Sequence, residues 1–244
     1  MSSFRQTQEP TFSTFSRELE SNQIEESSFL HTQDDIFNLA GALSYGDQVA
    51  ELTKVWMDER NAPEVLKYRR DLVESLLDAV EKQSEKIFES MELNSDSDSR
   101  FIHMLLQTEI ERIKYLLKSY LRTRLFKIEK FSLYLLRQEN VGDILSANEL
   151  EYARRYQEII ELHAHSSFLH LLPASQHKQD EQTEEVNMVV EPNFNAPVFA
   201  HILSSCGYIQ TAGREDLHLE ENDIYLLRYR DIKQFLNQGK VRLV

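Results

Sequence analysis

Along most of the chain up to residue 172, hydrophobic positions recur at steps of three and four; beyond it the steps shorten to two. The first rhythm belongs to a helix face and the second to a strand face. A first helix is predicted over about Asp47–Arg60, with Val49, Leu52, Val55 and Trp56 on one stripe. Asn61-Ala62-Pro63-Glu64 interrupts it, and Pro63 and Glu64 suit the first turn of a second helix that continues to about Met91. Its predicted buried face is Leu72, Leu76, Val80, Ile87 and Met91. After the polar stretch 94–99, a third helix is expected from Phe101 to Arg137, on the stripe Leu106, Ile110, Ile113, Leu117, Leu121, Leu125 and Ile128. Tyr115, Phe126, Phe131, Tyr134 and Leu135 widen its apolar surface beyond one face, as in a helix central to its domain or covered by another chain. Ser146-Ala147-Asn148-Glu149 has the form of a capping box and opens a fourth helix, ending near Leu172 before Pro173.

Residues 174–185 are polar and acidic and read as a linker. Short runs with strand character follow at 186–190, 198–203, 208–211 and 217–219. Glu220-Glu221-Asn222-Asp223 is turn chemistry, and Ile224–Tyr229 is expected to return as the second strand of a hairpin. One or two helical turns at 231–237 stop at Gly239, and 240–244 alternates as a closing strand. The fold class is therefore mainly α: a helical bundle of about four long helices over 46–173, then a small β-rich domain over 186–244. So small a β module is marginal by itself and should lean on something else.

The first 45 residues are rich in Ser, Thr, Gln and Glu and are expected to be disordered. One apolar cluster interrupts them at 34–43, where Ile36, Leu39 and Leu43 fall at helical spacing behind Asp34 and Asp35. A helix so short folds only against a partner, which makes the cluster a docking-motif candidate beside the plainer reading of a stray hydrophobic patch.

Composition narrows the function. The chain has 244 residues, 41 acidic against 27 basic, a formal charge of −14 and 41% hydrophobic residues. No apolar run reaches the roughly 18 residues of a membrane span, and the opening MSSFRQTQEPTF lacks the features of a secretory leader. One cysteine, Cys206, excludes an internal disulfide and a Cys-based zinc site. The chain reads as soluble and intracellular. With six glycines it has no dinucleotide fingerprint. Gly41 and Gly46 have phosphate-loop spacing, but Asp47 and Gln48 stand where Lys and Ser or Thr are needed.

Other chemistry is equally bare. His163 and His165 are two apart, which on a helix points them in different directions, and His170 is further on. Asp96-Ser97-Asp98-Ser99 begins like a calcium loop, yet Phe101 and Gln107 occupy its glycine and glutamate positions; Ser97 and Ser99 among acids also suit phosphorylation. No nucleophile elbow is present. Neither an enzyme, a metal nor a cofactor is expected. The charge anomaly is 101–130, where Arg112, Lys114, Lys118, Arg122, Arg124, Lys127 and Lys130 face three acids. These bases could meet nucleic-acid phosphate, pair with acids on neighbouring helices, or lie in an interface.

The third helix carries a resemblance. Glu109–Tyr115 (EIERIKY) followed by Ser119–Phe131 (SYLRTRLFKIEKF) resembles the signature helix of the Sld-five subunit of the eukaryotic GINS complex. Trp56-Met57-Asp58-Glu59 with Ala62-Pro63-Glu64, Leu145-Ser146 with Glu149-Leu150 and Ala153, and Tyr225–Tyr229 with Gly239–Leu243 follow that family in order, over roughly 47–244. The resemblance implies a non-catalytic scaffold subunit of a heterotetramer in the nucleus, built with three other GINS subunits. It also implies work with the MCM hexamer and a RecJ-like partner in the replicative helicase, in initiation and elongation of DNA replication, with DNA contact at most indirect. Ile113, Tyr115, Leu117, Tyr120, Arg122, Arg124, Phe126 and Lys127 are then expected at subunit interfaces. Asp34, Asp35, Ile36 and Leu39 resemble a box that docks on the trimeric hub tethering polymerase alpha, with Phe37 where leucine is usual. The competing reading is a nucleic-acid-binding helical module using 101–130.

Overall fold

The computed structural model describes residues 46–93, 97–173, 176–181, 187–210 and 216–244. The tail with Asp34, Asp35, Ile36 and Leu39 lies outside the described residues, as does part of the expected linker. The molecule is mostly helical, with a helical bundle and a small C-terminal region of antiparallel strands. Four helices are long: α1 (Gly46–Asn61), α2 (Arg70–Leu93), α3 (Ser97–Lys130) and, after the short α4 (Ser132–Leu136) and α5 (Val141–Ile144), α6 (Ala147–Ser167).

The second helix begins later than Pro63 predicts. Residues 62–69 run non-helically from α1 to α2, because their polar groups and side chains are taken by other elements. Val65 is buried beside Ile128, Phe131, Leu135, Leu145 and Ala153, whereas Ala62 and Leu66 join the core of the β region. Tyr68 N–H donates to Ile144 O at 2.9 Å. Three other expectations are corrected. The third helix breaks at Phe131, where Ser132 Oγ turns inward to Gln157 Oε1 at 2.9 Å, so α4 is a separate turn. The fourth ends at Ser167 and passes into a 3₁₀ turn, Leu169–Leu171. Met91 is 55% exposed rather than core.

By contacts the described chain forms two compact units, 81–110 and 47–80 with 111–244. In the first, Ile87 and Ile110 are buried and Ser90 Oγ bonds His103 Nε2 at 2.7 Å. Phe88, Met91, Phe101, Met104 and Leu105 of the same unit all stand outward.

In the second unit the β region has a three-stranded antiparallel sheet ordered β4–β1–β5 and a separate β2–β3 ribbon. Its strands are β1 (Pro197–Ile202), β2 (Gly207–Gln210), β3 (Asp216–Leu219), β4 (Ile224–Arg228) and β5 (Val241–Leu243), with helix α7 (Tyr229–Asn237) before β5. Asn222 turns the chain with φ 68°, as the turn chemistry requires, but β3 and β4 are not a hairpin. β3 pairs with β2 and β4 with β1, so non-local apolar pairing overrides sequence adjacency. Residues 187–190 form no extended strand, although Val189 is buried. Gly239, with φ 72°, closes α7: its N–H reaches Leu236 O and that of Lys240 reaches Phe235 O, a Schellman end that needs a left-handed residue. Val198, Ala200, Ile202, Leu219, Tyr229, Ile232, Val241 and Leu243 make the core of this region.

Candidate functional site

Two basic residues of α3 that the sequence left open between partners are consumed inside the chain. Arg124 is 0% exposed and uses all five donors. Its Nε and Nη2 reach Glu149 Oε1 and Oε2 at 2.7 and 3.1 Å, and Nη2 also reaches Ile144 O at 3.1 Å. Its Nη1 donates to Glu59 Oε2 at 3.0 Å and Leu66 O at 2.6 Å. The guanidinium carbon lies 5.3 Å from the Tyr68 ring and 5.8 Å from the Tyr120 ring, which stack on each other. Lys127 gives its three hydrogens to Glu59 Oε1 at 2.9 Å, Glu64 O at 2.8 Å and Glu59 O.

The carboxylates are held as firmly. Glu59 continues the buried stripe of α1 below Leu52, and its Oε2 also accepts from Leu66 N–H at 3.3 Å. Glu149 is the third residue of α6 and completes the predicted capping box: it accepts from Ser146 N–H at 2.9 Å while Ser146 Oγ accepts from Glu149 N–H. Glu64 binds the β region, accepting from Tyr229 Oη at 2.6 Å and Lys233 Nζ at 2.7 Å. Asp58 Oδ1 accepts the Leu243 N–H of β5 at 2.8 Å. The β module thus leans on the end of α1 and the connector behind it.

Electrostatics follow from this burial. Desolvation opposes the charge of Arg124, but the Glu149 hydrogen bonds and the charge of Glu59 outweigh it and hold its pKa above the arginine value. Burial pulls Lys127 below the lysine value against the attraction of Glu59. Burial, reinforced by Glu64, raises the Tyr229 hydroxyl above the tyrosine range, and burial pushes Tyr120 to about 12. Asp58 is pushed up to about 6 by desolvation, which the Leu243 hydrogen bond and Arg242 only partly offset. With every donor of Arg124 and Lys127 engaged, these groups are locked structure rather than poised reagents.

Of the eight α3 residues expected at interfaces, Ile113, Leu117, Tyr120, Arg124 and Lys127 are buried in the chain itself and present nothing outward. Tyr115 and Phe126 are 63% and 66% exposed, and Arg122 is exposed as well. The buried face of α3 runs Ile113, Leu117, Tyr120, Arg124, Ile128, replacing the Leu121 and Leu125 of the predicted stripe. Sequence reasoning missed Glu59 and Glu64 as partners. The available signal was Glu59, a charge seven residues below Leu52 on an apolar stripe, facing a helix with Arg four residues beyond Tyr120. Among the described residues no group of three or more His, Cys, Asp or Glu could hold a metal ion.

Fold and site define a helical-bundle protein whose helices are tied by buried ion pairs, with an appended antiparallel β module held through Glu64 and Asp58. A family model described as "GINS complex protein helical bundle domain" matches residues 67–168, and one described as "DNA replication complex GINS protein SLD5 C-terminus" matches 192–244. The chain is 33% identical over 195 residues to "DNA replication complex GINS protein sld5" of Schizosaccharomyces pombe, covering 80% of this chain and 90% of that protein. It is 35% identical over 197 residues to the SLD5 protein of Chaetomium globosum (80% and 89% covered) and 29% identical over 232 residues to that of Bos taurus (90% and 99%). The chain belongs to the Sld5 family of GINS proteins.

Proposed function

We propose that this chain is a non-catalytic scaffold subunit of a nuclear, heterotetrameric GINS complex in DNA replication. Three other GINS subunits cover its open helix faces, and the assembly serves the MCM hexamer together with a RecJ-like partner. In this reading 46–173 is the subunit-packing helical domain, 174–185 a linker and 186–244 a β domain held to it. Asp34, Asp35, Ile36 and Leu39 form the docking box for the trimeric polymerase-alpha hub. The observation that carries the reading is apolar surface left outward on the long helices. Tyr115 and Phe126 on α3, and Ile159 and Leu162 on α6, are each more than 60% exposed, although α3 already buries Ile113, Leu117, Tyr120 and Ile128 on its other face. Tyr115 and Phe126 flank Lys118 and Arg122 on one exposed face, a surface suited to an apolar partner with acidic edges.

Coexpression with the three sister subunits and mass measurement by light scattering tests this. A 1:1:1:1 complex, with the chain aggregating alone, is expected; a well-behaved monomer that ignores the other three overturns it. The nucleic-acid-binding alternative loses Arg124 and Lys127 to internal pairing. Duplex binding by the chain is accordingly expected to be weak, and steep salt-dependent affinity would favour that alternative.

A further inference from the structure

The sheet β4–β1–β5 has a second face that its own core does not use. Val198, Ala200 and Ile202 of β1 and Val241 and Leu243 of β5 point inward, so alternation sends Phe199, His201 and Arg242 outward. The registers arrange the outward side chains in rows. Arg228 stands opposite Pro197, Leu226 opposite Phe199, and Ile224 opposite His201, which in turn faces Arg242. Val244 extends the middle row, its N–H bonding Phe199 O at 3.1 Å. Phe199, Ile224, Leu226 and Val244 are each at least half exposed, and they adjoin one another.

Two features say what covers this face. In a chain of net charge −14 its ionisable side chains are all basic or basic-capable: Arg228, Arg242 and His201. Arg242 belongs to β5 on the far side of β1, so Arg228, the last residue of β4, is the cation on the strand that bounds this edge. That edge is open: among the described residues β4 pairs only with β1. β5, the other edge, is engaged by Asp58 through the Leu243 N–H. An apolar, flat edge strand with one arginine is a template for strand addition.

We propose that β4 accepts an extended acidic–apolar peptide of a partner protein as an added antiparallel strand. Antiparallel register against Arg228, Leu226 and Ile224 requires the pattern carboxylate–x–apolar–x–apolar. The carboxylate meets Arg228, the first apolar side chain lies beside Leu226, and the second lies beside Ile224. Main-chain bonds to β4 supply affinity and the alternate side chains supply selectivity. The proposal does not rest on the assignment of the helix faces to sister subunits.

The probe is a labelled peptide, Glu-Asp-Thr-Phe-Thr-Leu-Thr, titrated by fluorescence anisotropy against the full chain in the complex it assembles into. Saturable binding is expected. Arg228→Glu should weaken it at least about 10-fold and reverse its salt dependence, because like charges then meet and added salt screens their repulsion, and Leu226→Asp should abolish it. Both substitutions are on exposed side chains, and unchanged circular dichroism with retained complex assembly checks that folding is intact. A peptide with Asn for Asp should lose affinity for the wild type but not for Arg228→Glu. No saturable binding by the wild type, or equal binding by both variants, overturns the proposal. Two other occupants are separable. A concentration-dependent dimer lost in Leu226→Asp would assign the face to a second copy. At least about 10-fold tighter peptide binding after Phe37→Ser with Leu39→Ser would assign it to the chain's own segment 35–39, which has the same pattern. Either result overturns the assignment to a partner.

Discussion

Arg124 and Glu149 form a fork in which Nε and Nη2 meet the two carboxylate oxygens at 2.7 and 3.1 Å, while the same carboxylate caps the first turn of α6. One side chain therefore caps the start of one helix and neutralises a buried charge near the end of another. Because Glu59 shares Arg124 with Glu149 and shares itself with Lys127, α1, α3 and α6 are joined through a single charge-balanced cluster. Breaking such a cluster by removing one ion leaves the others buried and unpaired.

Arg124→Met is thus expected to destabilise the chain by about 3–5 kcal/mol, read as a lower urea midpoint with unchanged m-value. Arg124→Lys keeps the charge but loses the fork and two donors, and should cost about 2 kcal/mol. A variant within ~0.5 kcal/mol of wild type would show that solvent reaches the cluster.

The capping box was legible because it is local: Ser146 and Glu149 satisfy each other within three residues. The long helices were legible for the same reason, from their apolar periodicity. The pairing of Arg124 with Glu59, 65 residues apart, and of β4 with β1 rather than β3, depends on which distant elements meet. Pro63 was misleading, since its helix-starting preference lost to Lys127, Arg124 and Tyr229, which draw the groups of 64–66 into the interior. Tyr115 and Phe126 were legible as excess apolar surface, whereas Tyr120 and Arg124 were not recognisable as interior from residue type alone.

Asp58 gives the fold a pH signature of defined sign. Its pKa is raised from 3.8 to about 6 by burial, so the folded state holds its proton more tightly than the unfolded one. Its contribution is most favourable below pH 4 and declines as pH rises through about 6. Asp58→Asn keeps an oxygen for the Leu243 N–H and removes the ionisation. At pH 7.5 it should be more stable than wild type by ~1 kcal/mol, after discounting for partial solvent exposure. The difference between the two should vanish toward pH 4 in thermal melts. A difference independent of pH would remove the assignment.

Glu64 is, beside Asp58, a polar tie to the β region, and Tyr229 is its neutral donor. Tyr229→Phe leaves Glu64 with Lys233 but without the 2.6 Å hydroxyl bond, and should cost about 1.5–3 kcal/mol. In a double-mutant cycle with Glu64→Gln, a coupling of about 1–2 kcal/mol is expected. Additive losses would mean that the hydroxyl and carboxylate contribute separately.

The exposed face of α3 separates stability from assembly. Tyr115 and Phe126 are mostly solvent-accessible, so Tyr115→Ser with Phe126→Ser removes little from the interior and should change unfolding stability by no more than about 0.5 kcal/mol each. If sister subunits cover this face, the pair instead removes two aromatic anchors, and affinity should fall about 30-fold or more, with each anchor contributing ~1–2 kcal/mol. The two effects are measured on one preparation, by urea unfolding and by the yield of tetramer on size exclusion. The variant should also aggregate less when expressed alone, since the apolar surface that drives self-association has become polar. Normal tetramer formation by the double variant would move the interface away from this face of α3, leaving Ile159 and Leu162 of α6 as the next surface to substitute.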